Sequence, residues 1–128
     1  MDDQITNLAI DLATRVGADA IITPTLSGRT ARLLARHRPR AAIVAPAPTP
    51  AVLRQMAVVW GLRPVLVSDG GRAGDDRLGG AVRTAFEAGA VKAGALVVVL
   101  AGHPIAGGEL LPTIRLARVG EGGGAVEP

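Results

Sequence analysis

Cysteine is absent from this sequence, which excludes a disulfide framework, a thiolate metal centre and a cysteine nucleophile. Two histidines, His37 and His103, are too few for a typical zinc cluster, so no metal and no cofactor are expected. Aromatic residues amount to 2%, with a single Trp60, a single Phe86 and no tyrosine. A stacking platform for single-stranded nucleic acid is thereby nearly excluded, and nucleic acid is not an expected partner. No apolar run approaches the length of a membrane span, and the chain opens on Asp2 and Asp3 rather than on a basic segment followed by an apolar one. The expectation is a cytoplasmic protein without a membrane partner.

A further absence is regional. Between Asp19 and Asp69 no acidic residue occurs, while Arg29, Arg32, Arg36, Arg38, Arg40, Arg54 and Arg63 all fall there. The net charge of +3 understates this asymmetry. That part of the molecule carries a positive field and favours anions.

What remains is small and aliphatic. Hydrophobic residues make up 48% of 128 positions, a length that suits one domain with one real core filled by Ala, Val, Leu and Ile. Ile5, Leu8, Leu12 and Val16 recur at spacings of three and four, which predicts one face of a helix closed by Gly17. Short apolar runs follow at 18–24, which has no charge after Asp19 and is bounded by Gly17 and Pro24 as a strand buried on both faces is, at 41–47, ending before Pro48, and at 63–69, and a longer, uncharged one at 95–102. Between them lie helices. Thr49 and Pro50 form a capped start for a helix reaching Trp60, and Leu78, Ala81, Val82, Ala85 and Phe86 mark one face of another, starting at Asp75 or Asp76. The segment 113–119 alternates Ile114 and Leu116 with Arg115 and Arg118, which suits an edge strand with one wet face. Alternation of strand and helix through four units implies a mostly parallel sheet covered by helices on both faces, with ligands outside the carboxyl ends of the strands.

One strand-to-helix turn stands out, in the segment TPTLSGRTARLLARHRPR from Thr23 to Arg40. A helix starting near Ser27 or Gly28 points unpaired amides and the positive end of its dipole outwards. Thr25, Ser27 and Thr30 add hydroxyl donors, Gly28 permits close approach, and Arg29 supplies a planar cationic fork for two phosphate oxygens. Arg29, Arg32, Arg36 and Arg40 share one flank, with Ala31, Leu34 and Ala35 on the other. The same residues also suit plain helix capping and an amphipathic helix. Neither a GxxxxGK[ST] loop nor a GxGxxG fingerprint is present. His103, in the turn after the fourth strand, lies at the same sheet edge and is a further candidate contact. No catalytic constellation is visible, because the adjacent Asp75 and Asp76 diverge and read as helix capping.

These residues carry a likeness. The run from Ala18 to Asp69, with its T-x-S-G-R-T followed by A-R-L, its R-P before the second strand and its W-G-x-x-P-V-L into the third, resembles the C-terminal α/β domain of pyruvate kinase. So does the run from Ala81 to Gly108, with G-x-V-K-x-G before the fourth strand, followed by TIRLARVG. The resemblance implies a three-layer α/β/α sandwich, with a five-stranded, mostly parallel sheet whose last strand is antiparallel, over residues 1–120; the glycine-rich 121–128, with nothing to bury, reads as a flexible tail. It also implies that no catalytic residue resides here, since that family's substrate and metal sites belong to a barrel domain. By the same likeness, Thr25, Ser27, Gly28, Arg29 and Thr30 form a loop that grips the phosphate of an effector, and the domain packs against its like in an oligomer. The sequence departs from the family at Leu26, where some effector-binding members carry lysine, and at 103–112, which lacks Thr-Thr-Asn. The expected function is a non-catalytic module that binds a phosphorylated metabolite or inorganic anion and self-associates. The alternative is a regulatory part of glycolytic pyruvate kinase that works with a separate barrel chain.

Overall fold

The computed structural model describes residues 2–24, 28–67, 77–104 and 110–128. Along the chain run α1 (Asp2–Val16), β1 (Ala20–Ile22), α2 (Arg29–Arg36), β2 (Ala42–Ala47), α3 (Pro50–Ala57), β3 (Leu62–Leu66), α4 (Arg77–Glu87), β4 (Leu96–Pro104), β5 (Leu110–Val119) and β6 (Ala125–Val126). All the described strands join one sheet in the order β3-β2-β1-β4-β5-β6. β1 pairs in parallel with β2 and β4, and β2 with β3, whereas β5 is antiparallel to β4 and β6 to β5.

Successive side chains of a strand point to opposite faces, and here both faces are buried. Ile21, Ile43, Val98 and Leu100 join Ala9 and Ala13 of α1, Ala31, Leu34 and Ala35 of α2, and Met56 of α3. Ala20, Ile22, Val44, Val97 and Val99 join Ala81, Val82 and Ala85 of α4 on the other side. Three helices therefore cover one face and α4 the other, which completes the α/β/α sandwich. Alanines dominate the helical side of both clusters, so the helices lie close to the sheet and shape complementarity replaces aromatic bulk.

Several local expectations are corrected. The sheet has six strands rather than five, because Ala125–Val126 adds to β5. Gly120 N–H donates to Gly124 O at 2.7 Å and closes the turn that brings it there. The face of α1 is rotated: Thr6, Ala9 and Ala13 are buried, while Leu8 is 57% exposed. Small side chains at 6, 9 and 13 let the helix seat against the sheet, and Leu8 falls outside that line. α3 ends at Ala57 rather than Trp60, and Trp60 is 74% exposed with the Arg38 guanidinium 4.9 Å above its ring. β5 is no edge strand with one wet face. Ile114 and Leu116 pack on the α1–α3 side and Ala117 and Val119 on the α4 side, so the exposed Arg115 and Arg118 fall on opposite faces. Arg40 lies beyond the end of α2 and does not share its flank. The expected helix start at Asp75 or Asp76 lies outside the described residues.

Candidate anion-binding site

The sheet reverses its direction of growth at β1. From β1 the chain steps outwards through α2 to β2 and through α3 to β3, then returns through α4 to lay β4 on the other side of β1. The carboxyl ends of strands at such a reversal are the usual ligand position in open α/β sheets. Ile22 of β1 lies beside Val99 of β4. His103 lies within β4, paired with Leu111 of β5, rather than in a turn after the fourth strand, and its backbone and the start of α2 both stand towards the carboxyl ends of the parallel strands. Thr25 and Ser27, and with them Leu26, lie outside the described residues.

Gly28 caps α2 with φ 84° and no side chain takes the cap position. The left-handed conformation alone favours glycine. Packing adds a second requirement, since a Cβ on Gly28 would stand 3.0 Å from Met56 Cγ and 3.3 Å from its Sδ. Gly28 is buried and Met56 fully so, and α3 thus holds the start of α2 in place from the core side. The Gly28 carbonyl accepts the Arg32 N–H at 2.9 Å, the first bond of the helix. Thr30 is half-buried and Arg29 exposed.

Arg32 was not singled out from the sequence as part of this turn, yet its Cζ lies 3.6 Å from the Cβ position of Gly28. One helical turn separates the two residues, so the side chain folds back along the axis towards the amino terminus, the direction in which helical Cα–Cβ bonds tilt. A guanidinium at the positive end of a helix is electrostatically unfavourable by itself. No acidic residue stands in the first turn of α2, and Arg32 pairs with no carboxylate among the described residues. An anion at this terminus would be attracted by the helix dipole and the guanidinium together. The signal for Arg32 was its spacing of four from Gly28.

Thr23 was also passed over. It follows β1 directly, donates its N–H to Val44 O at 2.9 Å, and is 1% exposed. Among the described residues no group pairs with its Oγ1.

Among the described residues there is no group of three or more His, Asp or Glu side chains that could hold a metal ion, and no helix long and apolar enough to cross a membrane. Asp19 has a structural task, its Oδ2 accepting the Leu96 N–H at 2.9 Å and tying the start of β1 to that of β4.

Comparison with known proteins gives this geometry its family. Residues 3–113 match the family described as pyruvate kinase, alpha/beta domain. The chain belongs to that family. It is 41% identical over 92 residues to a pyruvate kinase of Staphylococcus epidermidis, covering 72% of this chain and 16% of the relative. It is 44% identical over 87 residues to one of Clostridium acetobutylicum, covering 68% and 18%. The chain thus spans less than a fifth of the length of these pyruvate kinases. A solved structure of Cryptosporidium parvum pyruvate kinase in complex with ADP superposes with a TM-score of 0.75 over 91% of this chain and 23% of that one. At 24% identity that likeness concerns the fold.

Proposed function

We propose that this pyruvate kinase alpha/beta domain is a non-catalytic binding module that takes a phosphorylated metabolite or inorganic anion at the β1–α2 turn, and that it self-associates. The observation that carries the reading is the Arg32 guanidinium lying over Gly28 at the positive end of α2, without an acidic partner among the described residues. Gly28, Arg29 and Thr30 stand at the same terminus, Thr25 and Ser27 precede them in sequence, and His103 belongs to the neighbouring strand end. The reading gives Arg29 and Arg32 the charge of the anion and Thr25, Ser27 and Thr30 its remaining oxygens. A cytoplasmic location and a role next to glycolysis go with this reading.

The test is a thermal-shift series with inorganic phosphate, sulfate, sugar phosphates and nucleotides. A ligand at a hundred times its dissociation constant adds about 2.7 kcal/mol of stability. That gain should disappear in Arg29→Ala and Arg32→Ala; a wild-type chain that no anion stabilises would refute the proposal.

A second reading rests on the coverage of the relatives. A chain that spans 16% of a pyruvate kinase suits a part that assembles with a separate barrel chain and regulates its turnover. Co-elution with such a chain, or a changed rate of phosphoryl transfer on mixing, separates this reading from the free-standing module.

A further inference from the structure

We infer that Thr23 is an additional ligand-binding residue, its hydroxyl serving as a donor from the carboxyl end of β1 to an anion seated at the start of α2. The inference rests on the proposed anion site and extends it to a residue on the strand.

Three observations converge on this position. The hydroxyl is buried and has no partner among the described residues. Side chains in strands normally bury a hydroxyl only when it is bonded, and an unmatched one is destabilising. A valine, with the same shape and no polar atom, would remove that penalty, so the hydroxyl is a cost the unliganded fold carries. The place of the residue is the second observation. Thr23 is the first residue after β1, still held to β2 through Val44 O, at the point where the strand order reverses. The third is its face. By alternation Thr23 shares the side of Ile21, whose cluster contains Ala31, Leu34 and Met56. This is the side on which α2 starts and on which Met56 packs beneath Gly28. The unmatched hydroxyl and the amino terminus of α2 therefore lie on one face of one sheet edge, five residues apart in sequence. A tetrahedral oxyanion presents oxygens in several directions, and an anion gripped by Arg32 and the helix amides can turn one oxygen towards the sheet.

The experiment measures binding of inorganic phosphate by calorimetry, together with unliganded melting temperature, for the wild-type chain, Thr23→Val, Thr23→Ser and Thr84→Val. Thr84 is a comparably buried threonine on α4, on the opposite face of the sheet, and controls for the chemical change alone. A hydrogen bond to a charged ligand is worth about tenfold or more in affinity. Thr23→Val should bind phosphate at least about tenfold more weakly while melting at the same temperature or higher, and Thr23→Ser and Thr84→Val should bind like wild type. Wild type that binds phosphate with Thr23→Val binding equally well would overturn the role of Thr23 and leave the anion site standing. Wild type that binds no phosphate would overturn the anion site and Thr23 with it. Should Thr23→Val fail to fold, Thr23→Ala takes its place, and undiminished phosphate binding by that variant overturns the inference equally.

Discussion

Replacing Gly28 by alanine tests the packing on which the candidate site is built. Two costs add at this position. An L-residue with a side chain is disfavoured by about 1–2 kcal/mol in the left-handed conformation, and Gly28 has φ 84°. The new methyl would also stand 3.0 Å from Met56 Cγ, and forcing a carbon into a packed core costs typically about 1–3 kcal/mol. Gly17→Ala isolates the first cost, because Gly17 has φ 67° with nothing within 4 Å of its Cβ position. Both substitutions lose the same unfolded-chain entropy, so that term cancels between them. Urea denaturation should therefore show Gly28→Ala less stable than Gly17→Ala by about 1–3 kcal/mol, or about 4–12 °C in melting temperature for a chain of this size. Combining Gly28→Ala with Met56→Ala should reduce the Gly28 cost to that of Gly17, since the two residues touch and their effects cannot be additive. Equal costs at the two glycines, or additive effects of Gly28 and Met56, would refute the claim that α3 positions the start of α2 through this contact.

Two other outcomes are expected. Leu8→Gln should change stability by less than about 0.5 kcal/mol because Leu8 is largely exposed, whereas Ala9→Leu, at a fully buried position, should cost about 1–3 kcal/mol, both read by urea denaturation. Thr49→Ala should cost about 1 kcal/mol in the same assay by removing the hydroxyl that accepts the Val52 N–H at 3.3 Å at the start of α3.

The fold was largely legible because its signals are local. Thr49 before Pro50 announced α3, Gly17 closed α1, and the apolar runs marked strands, of which β1 and β2 are buried on both faces while β3 leaves Arg63 and Leu66 exposed. Errors arose where tertiary packing decides between equivalent local choices. Spacing alone placed Leu8 inside α1, but the sheet is approached more closely by Thr6, Ala9 and Ala13, a preference invisible to a pattern that scores large apolar residues. Ala125–Val126 looks too short and glycine-flanked for a strand. Its pairing depends on β5 and on Phe86 of α4, whose Cδ2 lies 2.5 Å from the Cβ position of Gly123, contacts that only the fold brings together. At the candidate site the sequence announced the turn, because hydroxyl, glycine and arginine stand side by side in it. Arg32 and Thr23 were missed for opposite reasons: one reaches the turn by folding back along a helix, the other is distinguished by a bond it does not make.

The reversal of strand order at β1 also divides the molecule in time as well as in space. Strands β1, β2 and β3 come from residues 20–66 and β4, β5 and β6 from residues 96–126, and among the described residues the one ladder between these two sets is β1 with β4. Asp19 and Leu96, which close the bottom of that seam, are 77 residues apart in the chain. Each set can pair within itself by shorter connections, while the seam waits for a long loop closure, the kind of contact that slows folding. The two sets behave as halves joined by a zip of three residue pairs, with α4 packed over strands from both. A ligand at the top of the seam would touch both halves, so its binding would oppose their parting and slow the first opening step of unfolding.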